Sequence, residues 1–383
     1  MGNTLSNSIK ILKKIGKIES ATKIVYSPKY NGEKNNYNTF CTFKSIDEIF
    51  YLVYVKEGNC IAFYNLIDER NAIEIETYDM DIIDIKYLFD ENNKRDLLFS
   101  LSEYMHLKLW NVSNCECLFN IKIEIYYYKD ELNHLGILKL NNNDYNIIVS
   151  TAFEALKIYD LNGNKLNENY RNNLNIENAH EFIFIDTYYD KKLCDNYIFF
   201  CDNYDDTLFS VDYQKGILYQ TYSKMSYYNT QIIINDDDEN LKKVIFLIYC
   251  DSIGIFDFHS GKLLYKINLT IIPFKNKTFK NEYHYDKIYS LNYWNSNYLI
   301  LSYGKVVEAD VSYHSYGARE TYEKKYHSLE IINLKEKKME QILKLKTIDK
   351  SIFSKKLFHP KYGDCLLTQD NSGEIKIIQI KLV

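Results

Sequence analysis

The chain is poor in arginine, which occurs at only four of its 383 positions although lysine is abundant. Arginine is the side chain best suited to bidentate phosphate recognition, so its scarcity argues against a phosphate or phosphoinositide pocket. The formal net charge is −5, whereas proteins that bind nucleic acid need a surplus of basic residues. We therefore expect no nucleic-acid partner.

No apolar run of about 18 residues occurs, so the sequence predicts no transmembrane helix. No secretory signal is visible either, and the eight cysteines are scattered, mostly within short apolar runs, as small buried hydrophobic residues are. Disulfide bonds are therefore not expected. Cys115 and Cys117 form a Cys-x-Cys pair, but no second Cys or His pair lies nearby, so we predict no metal site and no cofactor.

Short motifs that carry catalysis are also missing. The sequence has no His-x-x-x-His pair, no Gly-x-Ser-x-Gly elbow and no glycine-rich phosphate loop. Its eight histidines are single and dispersed. We therefore predict no catalytic residues and no small-molecule substrate.

What the chain does contain is a recurring unit, with a spacing of about 45–52 residues and one longer interval of about 76. In the clearest copy, at 82–118, four short apolar runs alternate with polar turns, and the third run ends in Trp110-Asn111. In most copies an aromatic or aliphatic residue precedes Asp or Asn, and a turn with glycine often follows. Seven third runs recur, at 63–66, 109–112, 158–161, 209–212, 255–258, 331–334 and 377–380.

This unit resembles a WD repeat, although Asn111 replaces the family's Asp and the Gly-His dipeptide is missing. The resemblance implies one four-stranded blade per unit and therefore an all-β, seven-bladed WD-repeat-type β-propeller. The last unit stops after its third strand. We expect residues 22–26 to supply the fourth and to seal the ring, which hides the sheet edges. An open solenoid of β-repeats is the alternative.

The sixth unit carries an insertion loop at about 305–327, which is charged and rich in tyrosine. A long insertion on a rigid repeat scaffold is often a binding element, whereas a solvated loop without a role is the alternative. The candidate partner-binding residues are Tyr313, Tyr316, Tyr322 and Tyr326.

The first residues match the Met-Gly-x-x-x-Ser/Thr signal for N-myristoylation, which makes Gly2 the predicted lipidation site. One myristoyl chain gives only marginal membrane binding, so a stable anchor needs a second signal. No cysteine lies close to Gly2 to carry a second acyl chain.

A basic segment follows within residues 1–19. If residues 5–18 form a helix, the lysines share one face and Leu and Ile occupy the other. Such a segment suits an anionic membrane surface, whereas packing of the arm against the outer blade is the alternative. The predicted membrane-contact residues are Lys10, Lys13, Lys14 and Lys17.

These features predict a propeller at 20–383 that acts as a non-enzymatic protein-interaction scaffold, cytoplasmic and peripheral on the cytosolic face of a membrane. The partners would be proteins and the anionic membrane surface. A soluble structural subunit of a multiprotein complex, with residues 1–18 as a docking arm, is the main alternative. An enzyme in a propeller channel would need several His or acidic groups at inner strand ends, and comparison of the repeats identifies none.

Overall fold

All secondary-structure elements in the described part of the computed structural model are β-strands, β1 to β28. The described residues are 10–18, 40–56, 60–78, 82–102, 105–123, 132–140, 143–151, 156–167, 182–202, 206–225, 231–236, 241–248, 252–269, 282–312, 319–343, 351–370 and 375–381. The strands form seven antiparallel four-stranded sheets, which we number as blades 1 to 7.

The first four blades follow the chain without interruption. Blade 1 comprises β2 (Phe40–Lys44), β3 (Phe50–Lys56), β4 (Cys60–Asn65) and β5 (Arg70–Glu76). Blade 2 comprises β6 (Ile82–Asp90), β7 (Arg95–Ser102), β8 (His106–Asn111) and β9 (Glu116–Lys122). Blade 3 comprises β10 (Leu132–Lys139), β11 (Tyr145–Thr151), β12 (Lys157–Asp160) and β13 (Lys165–Asn167). Blade 4 comprises β14 (Phe182–Asp190), β15 (Asp195–Asp202), β16 (Thr207–Asp212) and β17 (Ile217–Lys224).

The last three blades include the longest strands and the ring closure. Blade 5 comprises β18 (Ile232–Asn235), β19 (Lys243–Ile248), β20 (Ser252–Asp257) and β21 (Leu263–Asn268). Blade 6 comprises β22 (Glu282–Asn295), β23 (Tyr298–Ser312), β24 (Arg319–Asn333) and β25 (Lys338–Leu343). Blade 7 comprises β26 (Ser351–His359), β27 (Gly363–Asp370) and β28 (Ile375–Lys381), with β1 (Lys10–Ile18) as its fourth strand.

The first strand of each blade lies innermost. First strands of neighbouring blades contact one another, as β2 does with β6 and β10 with β14. Second and third strands are almost wholly buried, which explains their continuous apolar runs such as Leu97-Leu98-Phe99. Fourth strands are largely exposed and mix polar with apolar residues.

The hydrophobic core is divided into seven clusters, and each cluster lies between two adjacent blades. One of them joins blade 7 to blade 1, where Leu357 and Leu367 pack with Phe40 and Leu52. Seven blades with seven interfaces form a closed ring, so the fold is a seven-bladed β-propeller. The solenoid alternative is therefore wrong.

Polar side chains add specific links between the inner strands. The amide of Leu135 donates to Asp84 Oδ2 (2.8 Å), which joins blade 3 to blade 2. The amide of Lys356 donates to Asn292 Oδ1 (2.9 Å), which joins blade 7 to blade 6. Each such bond satisfies a backbone donor that the blade's own sheet leaves unpaired at its inner edge.

The ring is closed by β1, which pairs antiparallel with β28 from Lys10↔Lys381 to Ile18↔Ile375. The expectation of an N-terminal fourth strand is confirmed, but the segment is wrong: residues 22–26 lie outside the described residues, and β1 occupies the position. The helix predicted over 5–18 is likewise wrong for 10–18, which is a strand. The alternative prediction, in which the N-terminal arm packs against a blade, describes residues 10–18 better.

All seven predicted third strands coincide with observed ones, namely β4, β8, β12, β16, β20, β24 and β28. Trp110 illustrates their packing, since its indole Nε1 donates to Ser100 Oγ of the preceding strand (3.0 Å) and is buried. The sixth unit differs from expectation. Its insertion is no loop in the described residues 305–312 and 319–327, which extend strands β23 and β24.

Candidate functional site

The ring has two dissimilar faces. We call the face with the turns from first to second and from third to fourth strands the tight-turn face. Its third-to-fourth turns span four or five residues, for example 66–69 and 258–262. The opposite face, which carries the connections from second to third strands and between blades, is here called the long-connection face. Its links between blades reach 21 residues at 19–39, 14 at 168–181 and 13 at 269–281.

Side-chain caps organise the tight-turn face. Asp160 Oδ1 accepts hydrogen bonds from the amides of Asn162 (2.9 Å) and Asn164 (2.7 Å), and Asn65 Oδ1 accepts one from the amide of Ile67 (2.8 Å). These are the Asp and Asn residues that end the third strands in the repeat pattern. Such Asx turns satisfy backbone donors locally. The equivalent caps are Asn111, Asp212, Asp257 and Asn333.

The same turns need a residue in the left-handed region. Gly163 (φ 82°), Gly216 (φ 65°) and Gly261 (φ 65°) supply it in blades 3 to 5, as the glycine in the repeat pattern indicates. In blades 1 and 2 the position belongs to Glu69 (φ 55°) and Cys115 (φ 59°). Cys115 and Cys117 are exposed and reduced, so the Cys-x-Cys pair belongs to a turn.

A buried ion pair fixes blade 4 to blade 5 on this face. Lys242 Nζ donates to Asp190 Oδ2, and the two side chains are 8% and 0% exposed. Asp190 also accepts the amides of Lys192 (2.9 Å) and Leu193 (3.2 Å). Burial opposes ionisation of Asp190, but these donors outweigh it and hold its pKa below the usual value. This ion pair therefore stabilises the contact between blades 4 and 5.

Blade 6 carries the most prominent feature of the long-connection face. Strand β23 pairs with β24 from Tyr298↔Asn333 to Ser312↔Arg319, and β22 pairs with β23 out to Glu282↔Ala309. The fourth strand, β25, ends at Leu343 opposite Leu329. Beyond that point β22, β23 and β24 continue without it. We call this part, residues 282–288, 304–312 and 319–328, the blade 6 extension.

The predicted partner-binding tyrosines belong to this region. Tyr322 and Tyr326 lie on β24 opposite Ala309 and Lys305. Tyr313 and Tyr316 lie outside the described residues.

The predicted membrane-contact lysines, Lys10, Lys13, Lys14 and Lys17, all lie on β1 and pair with residues of β28 between Lys381 and Lys376. Strand β1 starts opposite Lys381, the last residue of β28 and therefore at the tight-turn face. Gly2, outside the described residues, thus precedes a strand that begins on that face. The β24–β25 turn on the same face exposes three lysines of the neighbouring blade, Lys335, Lys337 and Lys338.

Within the described part of the chain, no group of three or more His, Cys, Asp or Glu side chains is arranged to hold a metal ion. The described residues also contain no helix long and apolar enough to cross a membrane.

Comparison with known proteins supports the fold at the level of architecture. No protein-family description matches the chain, and no curated protein sequence matches it significantly. A solved crystal structure of BBS1N in complex with ARL6DN is similar, with a TM-score of 0.57 over 97% of this chain and 98% of that chain. The identity is 11%, so this likeness establishes the seven-bladed β-propeller fold.

Proposed function

We propose that this protein is a non-enzymatic interaction scaffold that binds a protein partner on its long-connection face. The observation that carries the proposal is the blade 6 extension, a three-stranded projection that the described residues of the other blades do not form. Binding residues concentrate on connecting segments that a rigid scaffold positions. The similar BBS1N structure is itself of a propeller in complex with a protein, ARL6DN.

The strand pairing of the extension supports this proposal. Along residues 319–328, β24 has β23 on one side, whereas β25 pairs with β24 only from Leu329 onward. The extension therefore adds a three-stranded surface to the long-connection face beyond the four-stranded part of the blade.

We further propose that acylation at Gly2 tethers the scaffold through its tight-turn face. Strand β1 begins on that face, so an anchor eight residues before Lys10 would hold it toward the bilayer. Exposed Lys335, Lys337 and Lys338 lie in the adjoining blade and would face anionic lipid. In this orientation the blade 6 extension points away from the membrane, toward the cytosol.

The soluble-subunit alternative has one observation in its favour. Residues 10–18 are engaged in the sheet with β28 and do not form a free amphipathic helix. Membrane fractions of cells that express wild type or Gly2→Ala separate the two hypotheses. The tether predicts that wild type pellets and Gly2→Ala does not, and equal solubility of both contradicts it.

The partner proposal is tested by shortening blade 6. In the variant, residues 304–327 are replaced by Asn-Gly, which joins Tyr303 to its register partner Ser328 through a two-residue hairpin turn. Complexes are cross-linked and captured from the native cell type, with thermal unfolding as the folding control. We expect at least one protein captured by wild type to be lost while the melting temperature is kept. An unchanged set of captured proteins contradicts the proposal.

A further inference from the structure

The innermost strands bring ionisable side chains from distant parts of the sequence to the axis of the ring. Lys86 Nζ of β6 lies 4.0 Å from Asp186 Oδ1 of β14. These strands belong to blades 2 and 4, which are not neighbours, so the pair passes in front of blade 3. Lys86 and Asp186 both influence Lys355 of β26 electrostatically, and Lys86 and Lys355 influence Cys41 of β2. We call these four residues the axial cluster.

The four residues lie at one level of the ring. Each stands four positions before the residue whose side chain caps the first turn of its blade. Those capping residues are Ser45, Asp90, Asp190 and His359. The repeat therefore places blades 1, 2, 4 and 7 in register, and their side chains converge.

Solvent reaches this level although the strands are the innermost of the molecule. The Lys86 and Asp186 side chains are 29% and 45% exposed, and Lys355 is half-buried. Asp84, by contrast, is fully buried and bound to the amide of Leu135. Asp84 is thus committed to the ring, whereas the other charged groups face the axial channel.

Two ammonium groups, of Lys86 and Lys355, and two carboxylates, of Asp84 and Asp186, influence one another here. Lys86 has Asp186 as its direct counter-ion. The Lys355 ammonium makes no hydrogen bond or ion pair with any described residue, and its recorded contact is the Phe40 ring, 5.8 Å from Nζ. Burial and repulsion by Lys86 lower the pKa of Lys355 despite the nearby carboxylates. Burial raises the pKa of Cys41 to about 12, so its thiol is neutral and supplies no compensating charge.

We propose that the axial channel is a binding site for a carboxylate group, held by the Lys355 ammonium. A carboxylate there would be desolvated on one side and paired with a cation, which is the arrangement that makes a partly buried ion pair favourable. The Phe40 ring, 5.8 Å from the ammonium, adds a cation–π contact on one side of that cation.

The cluster favours a single negative charge over a doubly charged phosphate. The Lys355 ammonium has no direct ion pair with a described residue, but the carboxylates of Asp84 and Asp186 lie close enough to influence it. Those carboxylates repel a second negative charge on the ligand. The carboxylate's source is a free acid or an acidic side chain of a bound peptide. The peptide source would deepen the proposed function, because the partner would then reach into the channel.

The test uses the full-length protein with its lysines converted to ¹³C-dimethyllysine, which keeps their charge. The NMR signal of dimethylated Lys355 is identified by its disappearance from the spectrum of Lys355→Met. The probes are sodium acetate, sodium phosphate, acetyl-Gly-Glu-Gly-amide and, as a neutral match, acetyl-Gly-Gln-Gly-amide. The exposed Lys361 on the tight-turn face serves as the reference for non-specific ion effects.

We expect a saturable shift of the Lys355 signal with acetate or the Glu peptide, and a rise in its pKa when the probe is bound. In Lys355→Met, the Lys86 signal reports binding, and the affinity should fall at least tenfold at an unchanged melting temperature. Tighter binding of the Glu peptide than of acetate identifies a peptide source, and equal binding identifies a free acid.

Three results would overturn the carboxylate site. They are a shift that does not saturate and that Lys361 shares, phosphate binding as tightly as acetate, and undiminished binding by Lys355→Met. None of them bears on the blade 6 extension, whose deletion tests the proposed function separately. If the carboxylate titration and the shortening of blade 6 both contradict their proposals, only the propeller fold remains established.

Discussion

The two faces of the propeller use their residues in different ways. On the tight-turn face, six of the turns between third and fourth strands are capped by an Asp or Asn side chain. On the long-connection face, the links between blades vary from five residues at 77–81 to 21 at 19–39. Regular turns preserve the repeat, and variable connections are where a repeat protein can acquire a partner. Under the proposed function, the tight-turn face serves stability and the long-connection face serves binding.

If the tight-turn face serves stability, its buried ion pair should be the most costly to break. Lys242→Met leaves the Asp190 carboxylate buried without its counter-ion. We expect a loss of about 3–5 kcal/mol in the free energy of unfolding, measured by urea denaturation. Lys338→Met is the matched control, because its pair with Glu336 is exposed and should contribute at most about 1 kcal/mol. Equal effects of the two variants would contradict the assignment.

Removal of one turn cap should have a smaller effect. Asp160→Ala leaves the amides of Asn162 and Asn164 without their acceptor, and we expect a loss of about 1–2 kcal/mol. Asp160→Asn keeps the acceptor oxygen and should lose less. Thermal unfolding of the three proteins checks the order, and an Asn variant as unstable as the Ala variant would speak against a capping role.

The caps also predict a dependence of stability on pH. Burial opposes ionisation of Asp90, Asp160 and Asp190, but their hydrogen-bond donors win and lower each pKa from the usual 3.8. A lowered pKa in the folded state adds stability above pH 3.8, and that contribution is lost as the pH falls through the lower folded-state pKa. Urea midpoints between pH 5 and pH 2 measure it. In Asp160→Asn the acid-dependent part should be smaller, and an unchanged profile would contradict the assignment.

The smallest effect on stability is expected from the opposite face. Replacement of 304–327 by Asn-Gly removes the distal part of the blade 6 extension and leaves the pairing of β23 with β24 at 298–303 intact. The free energy of unfolding should change by less than about 1 kcal/mol, because the core clusters are untouched. A cost as large as that of Lys242→Met would make the extension a structural element.

The repeat was readable because six of the seven third strands end in the residue that caps the next turn. An Asp or Asn after an apolar residue, followed in three blades by a glycine with positive φ, is both a sequence signal and a structural requirement. That coincidence explains why these six strands were predicted correctly, whereas β28 has no such cap among the described residues and followed from its apolar run. This signal does not predict the extension. Its segments are charged and rich in tyrosine, so the sequence pattern indicates a loop although the strands of the blade continue there.

The ring-closing strand escaped prediction for a different reason. Strand β1 has register shifts between Ile11 and Lys13 and between Lys14 and Gly16. These irregularities break the two-residue alternation of a strand and leave a lysine spacing typical of a helix. The axial cluster could not be found either, because its members are single residues of separate repeats, and only closure of the ring brings them together.

The central claim is that partners bind the long-connection face, and the two ends of one outer strand test it most directly. Exposed Lys262 and Asn268 flank β21 on the tight-turn and long-connection faces. The background protein has Cys115, Cys117, Cys194 and Cys250 changed to Ser. In it, each of the two positions is changed singly to Cys and coupled to a 5-kDa polyethylene glycol chain. Cross-linked partners are then captured. The account predicts that the polymer at position 268 blocks capture and that the polymer at 262 does not. Blockage at 262 with normal capture at 268 would contradict it.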